Sequence, residues 1–399
     1  MHKYGKFLMA TFLIGIMIHS NSVLAQGISP ILEHQVSHKF SELLTFEAVL
    51  APNIEAEKVE VFFSSQGSAN TQVETVEIRD QNYVSLFYSL AEEDPLRAFA
   101  PVQYRFVVTL KNGEMLQSEE FEFFYEDNRY RWEELVEGSF RVHWYAGTSA
   151  FGQDVLDTAQ FGADALQDLI ELPIPEKLEI YVYARSSDLR QALDLSGQPW
   201  LAGHANPDLV VVLISVAPGP EENLEMEREV PHEVAHAMLF EKVGDNYAKI
   251  PPWLNEGIAS LAELYPNPDY QHILQGAASS DSLIPLAELC RDFPNDTAGA
   301  GLAYAQSNSF TRYLSRVYGP SGLIQLVEAY ADGASCEDGP AIALGQPLSS
   351  IEQTWMGSAA SANPSLNAFV QLLPWILIAI VPIGLSLGLT VIRARRNHE

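Results

Sequence analysis

The segment EVPHEVAHAML, residues 229–239, places His232 and His236 four apart, with Glu233 directly after the first. This spacing constrains the fold more than any other feature of the chain. On an α-helix, residues i and i+4 stand one above the other on one face, so a helix brings the two imidazoles to a single point. That is the geometry two imidazoles need to share a metal ion. Glu233 sits beside that face, where a carboxylate can take a proton from a water held at the metal. A catalytic zinc needs a third protein ligand and one open position. Glu256 follows His236 by 20 positions, within PPWLNEGIASLAEL. Pro251 and Pro252 start a second helix there, with Trp253, Ile258 and Leu261 available to the core. Alone, Glu256 reads as a surface carboxylate of an amphipathic helix. Beside the histidine pair it reads as the third ligand, since two helices packed side by side aim it at both imidazoles. The pattern predicts one zinc per chain on His232, His236 and Glu256, with Glu233 as general base.

HEVAH followed by WLNEGIA resembles the gluzincin group of metallopeptidases, the clan of thermolysin and the aminopeptidase N family. The 19 residues between His236 and Glu256 match the thermolysin gap, and the WLNEG wording is closer to the aminopeptidases. The chain as a whole also resembles bacterial membrane-anchored proteins with a "peptidase MA-like" domain, over most of residues 130–357. The resemblance implies a zincin-like fold and a peptide or protein substrate. It also gives two further segments a meaning. LAYAQSNSFTRYL resembles the aminopeptidase stretch that carries a tyrosine for the transition state, which makes Tyr304 a candidate hydrogen-bond donor to the oxyanion. Ser307 stands where that family has a glycine. LAGHANPDLVVVLI corresponds to the edge strand on which an extended substrate pairs its backbone. Aminopeptidases carry a glutamate there that holds the substrate's free amine. Gly203-His204-Ala205-Asn206-Pro207 has none, so the resemblance points to an endopeptidase, unless another acidic residue such as Asp208 substitutes. A lone histidine is most often a plain surface residue, and His204 is read so.

Around this centre the pattern divides the chain. Residues 1–25 read as a secretory signal: Lys3 and Lys6, an apolar run from Phe7 to Ile18, and a small residue at Ala25. Residues 26–130 alternate with period two in LTFEAVL, KVEVFF and YVSLFY, and Asn112-Gly113 marks a hairpin turn. These features predict an immunoglobulin-like sandwich. Residues 131–357 mix strands with helices and turn almost wholly helical after Pro220, which favours α+β over regular βαβ units. Residues 358–368 read as a linker, 369–392 as an uncharged transmembrane helix, and 393–399, with Arg393, Arg395 and Arg396, as a cytoplasmic tail. The predicted fold class is therefore α+β, a zincin-like metallopeptidase domain preceded by an all-β immunoglobulin-like sandwich, with one C-terminal transmembrane helix. The predicted location is a cell membrane crossed once, with the N-terminal ectodomain outside.

Charge and cysteine content narrow the partners. The chain has 23 basic and 52 acidic residues, a net charge of −29. Such acidity argues against nucleic acid and against docking on anionic lipid. The two cysteines, Cys290 and Cys336, suit a disulfide in an oxidising compartment. Two functional readings follow. One is a membrane-tethered extracytoplasmic zinc peptidase; the other is a non-catalytic adhesion or scaffold protein with a structural or vestigial zinc site. Glu233 discriminates them, since a purely structural site has no use for a general base.

Overall fold

A computed structural model describes residues 29–360, apart from residue 69 and the segments 80–81, 91–95 and 194–202. The N-terminal part contains β1 (Ile31–Lys39), β2 (Leu43–Leu50), β3 (Ala56–Ser65), β4 (Gln72–Ile78), β5 (Tyr83–Ser89), β6 (Ala100–Leu110), β7 (Met115–Gln117) and β8 (Phe121–Tyr125). Gly113 takes φ +81° in the turn between β6 and β7, a conformation that favours glycine. The eight strands form one antiparallel sheet in the order β1-β2-β5-β4-β3-β6-β7, with β8 pairing β6 at Ala100–Tyr104, on the same edge as β7. This corrects the predicted sandwich. β4 pairs with β3 through Gln72–Val76 and with β5 at Glu77 and Ile78, so hydrogen bonding continues where two separate sheets would part. The sheet curls into a half-barrel whose ends meet through side chains. His34 of β1 stacks on Phe121 of β8 with ring centroids 3.7 Å apart.

The second sheet has the order β12-β13-β11-β10-β9. It is built from β9 (Glu133–Glu137), β10 (Phe140–Trp144), β11 (Leu178–Tyr183), β12 (Gly203–Asn206) and β13 (Val211–Ser215), with α1 (Ser149–Ile170) and α2 (Ser186–Ala192) in the crossovers. β10, β11 and β13 are parallel. The predicted α+β class is therefore corrected to mixed α/β, because β10-α1-β11 is a βαβ crossover and β13 also runs parallel to β11, after a connection that carries α2 and β12. The strands alternate, and both faces are buried. Val142, Ile180, Val182, Val212 and Ile214 face the helical core. Tyr181, Tyr183, Val211 and Leu213 face the core of the half-barrel. Phe99 stacks on Tyr181 at 3.7 Å between centroids. Asp127, fully buried, accepts from Tyr183 Oη at 3.0 Å and pairs with Arg129.

The helical side comprises α3 (Glu222–Val243), α4 (Pro252–Ala262), α5 (Tyr270–Ser279), α6 (Leu286–Leu289), α7 (Thr297–Ala331), α8 (Asp338–Leu344) and α9 (Leu348–Ala360). α7 breaks at Gly319-Pro320, where Gly319 has φ +71°. Cys290 and Cys336 are bonded, with Cα atoms 6.0 Å apart. The transmembrane expectation is corrected as well. No helix among the described residues is long and apolar enough to cross a membrane. Residues 369–392 and the signal at 1–25 lie outside the described residues, so the predicted single-pass membrane location has no support in the structure.

The disulfide closes a loop of sequence separation 46, for which chain entropy gives a stabilisation of about 4 kcal/mol as an upper figure. Replacing both cysteines by serine should lower the denaturant midpoint and, by letting the unfolded chain expand, raise the slope. Free thiols found in the oxidised protein by mass mapping would contradict this pairing.

Candidate metal centre and active site

The histidine helix α3 is interrupted in its hydrogen bonding by Pro231, directly before His232. A proline has no N–H to give to the carbonyl four residues back. Here that carbonyl, Glu227 O, accepts instead from Leu264 N at 2.8 Å and Tyr265 N at 3.2 Å, just beyond the end of α4. The proline thus ties α3 to the chain that leaves α4. On its other side Pro231 lies against Gly162 of α1, where a Cβ would meet Pro231 Cβ at 2.4 Å. Helix α4 approaches α7 just as closely. A Cβ on Gly257 would meet Thr311 Oγ1 at 1.9 Å and Ser307 O at 2.8 Å. Ser307 itself is fully buried, so the close approach rests on the glycine of α4.

These contacts bring His232, His236 and Glu256 together, with one ligand atom from each lying within 4.8 Å of the others. Glu256 Oε2 is 3.2 Å from His232 Nε2 and 3.7 Å from His236 Nε2. The outer nitrogens are engaged. His232 Nδ1 donates to Glu263 Oε1 at 3.0 Å, and His236 Nδ1 donates to Asn255 Oδ1 at 2.9 Å. The Tyr247 hydroxyl also donates to Asn255 Oδ1, at 3.1 Å. Each imidazole is thus held at Nδ1 from behind and turns Nε2 toward Glu256, so that giving up the Nε2 proton would leave a lone pair for an ion at the shared point. Zinc–ligand bonds of about 2.0–2.1 Å at tetrahedral angles place ligand atoms roughly 3.3 Å apart. The observed separations fit that ion, and the donor set is one zinc accepts.

A cavity of about 250 Å³ opens in front of the triad. Its lining includes Glu233 from α3, Tyr304 from α7, and Gly203, His204 and Ala205 from β12. β12 is the edge strand, antiparallel to β13. Gly203 lets that strand lie against Glu233, for a Cβ would meet Glu233 Oε1 at 2.4 Å. Burial raises the Glu233 carboxyl to about 7 against the pull of the two histidines. Burial would lower His232, but its bonds to Glu256 and Glu263 outweigh this and hold it well above the usual range. Burial would raise Glu256, yet the charge of His236 and the histidine bonds hold it far below. The charge of Glu256, then burial, keep the Tyr304 hydroxyl protonated far above its ordinary range. The ring of Tyr304 stands edge-on to Phe293, centroids 5.2 Å apart. His204, read from the sequence as a plain surface residue, lines the cavity, and burial lowers its pKa.

The loop after β12 is held from the half-barrel. Arg97 makes a two-pronged contact with Asp208 at 2.7 and 2.8 Å and donates to Asn206 Oδ1 at 3.1 Å. Asn255, Glu263, Tyr247, Pro231 and Arg97 were not singled out from sequence. Glu263 had a readable signal, since it follows Glu256 by seven positions, two turns along one face. Arg97 had none.

A family model described as the Peptidase MA superfamily matches residues 158–361, just over half of the chain. The chain belongs to the Peptidase MA superfamily. Comparison with curated proteins gives no match. Among solved structures, an aminopeptidase N family protein from Idiomarina loihiensis aligns at 10% identity and TM-score 0.33, covering 75% of this chain and 69% of that one. A polysaccharide deacetylase from Bacillus cereus aligns at 8% identity and TM-score 0.21, covering 50% and 65%. Likenesses at these scores carry no argument about fold or activity.

Gly257→Ala should cost about 1–3 kcal/mol or more, because the overlap falls partly on backbone and cannot be relieved by a rotamer change. Chemical denaturation checks this, and an unchanged midpoint would show that α4 and α7 pack less closely than described.

Proposed function

We propose that this chain is a zinc-dependent peptidase that cleaves within peptide chains. The observation that carries the reading is the convergence of two Nε2 atoms and one carboxylate oxygen on one point, each imidazole braced from behind and the cavity open in front. A bound zinc ion would polarise the scissile carbonyl and make a water acidic. Glu233 takes the proton of that water and passes it to the leaving amine. The Tyr304 hydroxyl donates a hydrogen bond to the oxyanion. Glu263 and Asn255 fix the tautomer and direction of the two imidazoles. β12, whose outer edge is unpaired among the described residues, offers that edge to an extended substrate, whose backbone amides pair with it whatever the side chains.

In this reading the chain divides at about residue 130, and residues 131–357 form the catalytic unit. Residues 26–130 brace it from behind through the shared aromatic core. Among the described residues no fourth protein ligand accompanies the triad, which favours catalysis over the scaffold reading.

The endopeptidase assignment rests on the end of β12. Aminopeptidase action needs a carboxylate that holds the substrate's terminal ammonium. Among the described residues the carboxylates lining the cavity are Glu233 and Glu256, and both have other work. Asp208 is the nearby substitute, and Arg97 occupies both of its oxygens.

Glu233→Gln should retain metal and lose turnover by a factor of about 10² to 10⁴, while His236→Ala should lose the metal itself. Metal analysis of both variants beside a peptide digest separates the roles. Full turnover in Glu233→Gln would sink the mechanism, and unchanged metal in His236→Ala would misplace the site. Blocking the N-terminus of a cleavable peptide by acetylation should leave its cleavage intact. Stepwise release confined to the free peptide would instead reveal an amine-binding group.

A further inference from the structure

We propose that a second cavity, lined by α5, α7 and α9, is a binding pocket for a carboxylate group. The cavity has a volume of about 360 Å³, and its lining includes Tyr270, Gln271, Asn308, Arg312, Arg316 and Trp355. That size suits a small organic ligand. Among the described residues its lining contains two arginines and no acidic residue, in a chain with 52 acidic and 23 basic residues. Charge this uneven, at one concave place, selects for an anion.

The individual groups make the selection specific. The Arg312 guanidinium is partly buried. Its Nε donates to Asn308 Oδ1 at 3.2 Å and its Nη2 to Ser260 O at 3.0 Å. Both partners are neutral. Among the described residues no carboxylate lies within ion-pair distance of Arg312, although buried charges are ordinarily paired. Burial pulls its pKa down, and the more distant charge of Glu263 only partly restores it. Asn308 is 9% exposed, and its Nδ2 is without a hydrogen-bond partner. Its Oδ1 is already committed to Arg312, so what remains is a donor. Arg316 follows Arg312 by one helical turn on the same face, is exposed, and forms no ion pair among the described residues. A guanidinium fork beside a buried amide N–H matches the two oxygens of a carboxylate, which accept several donors at once. Trp355 supplies an apolar wall and donates to Ser309 Oγ at 3.1 Å.

The carboxylate can come from a peptide or from a free acid. Arg312 lies two turns beyond Tyr304, a rise of about 12 Å along α7. An extended peptide covers that distance in roughly four residues. An acidic side chain or a chain end of a substrate is thus one source, and a small free acid is the other. This inference does not rest on the peptidase reading, because binding can be measured without cleavage.

Isothermal titration of the full chain tests it with four probes. They are acetyl-glutamate amide for a side chain, acetyl-diglycine for a chain end, succinate for a free acid, and acetyl-glutamine amide as the neutral control. At least one carboxylate probe should bind tenfold or more tightly than the glutamine control, and the tightest identifies the source. Arg316→Gln, at an exposed position that should fold normally, should weaken it at least threefold. Arg312→Lys, which keeps the charge and loses the fork, should weaken it at least tenfold. Glu233→Gln should leave it unchanged. Equal binding of all four probes, no binding of any, or affinity untouched by Arg316→Gln and Arg312→Lys would overturn the proposal.

Discussion

The geometry of the metal centre hangs on one backbone carbonyl, that of Glu227. In an uninterrupted helix it would accept from residue 231. Proline at that position removes the donor, and the amides of Leu264 and Tyr265 take its place. A buried carbonyl with no partner would cost about 1–3 kcal/mol, so the substitution of one donor set for another is strongly favoured. The result is a strap between the histidine helix and the end of the glutamate helix. It fixes Glu263 one residue before the strap and directly behind His232. Two side chains 31 positions apart in sequence meet at 3.0 Å because a main-chain contact beside them has already set the distance.

The same logic of removing atoms recurs around the site. Gly162 admits Pro231, Gly257 admits Thr311 and the carbonyl of Ser307, and Gly203 admits the carboxylate of Glu233. Each glycine lies where a helix or strand carrying a functional group is pressed against its neighbour. Interiors are close-packed, so a single methyl group at such a contact displaces the whole element rather than one side chain. The centre is thus positioned by missing atoms as much as by bonds. This explains why the bracing residues are spread over α1, α3, α4, α7 and β12.

Much of the candidate site's geometry could be read from the sequence, and for a definite reason. His232, Glu233, His236 and Glu256 lie on helices, where side-chain direction follows from spacing alone. Tyr304 needed a resemblance to be noticed, because a tyrosine among 16 has no local signature. Arg97 and its contact with Asp208 were illegible, since they are 111 positions apart and joined only by tertiary packing. The fold was read less well. Strand positions such as Leu43–Leu50 and Tyr83–Ser89 follow from alternation, but alternation is blind to pairing. It cannot reveal that β4 bonds to both β3 and β5, which turns a sandwich into a half-barrel. Nor could helical spacing in Ser149–Ile170 show that the strands on either side of it run parallel.

That parallel pairing determines what the half-barrel can do. A parallel strand set is ordinarily covered on both faces, and helices do the covering. Here α1 and α3 cover one face of β10, β11 and β13, while Phe99 of the half-barrel, with Tyr130 and Trp132 of the connection that follows it, covers the other. Without it, Tyr181, Tyr183, Val211 and Leu213 would stand in water at about 25 cal/mol for each Å² exposed. A module whose core is shared in this way cannot swing as a free spacer. It also reaches around the sheet edge, because Arg97 grips the loop that ends β12. The strand on the rim of the cavity is therefore held from both sides, by the pairing to β13 along its length and by the half-barrel at its end.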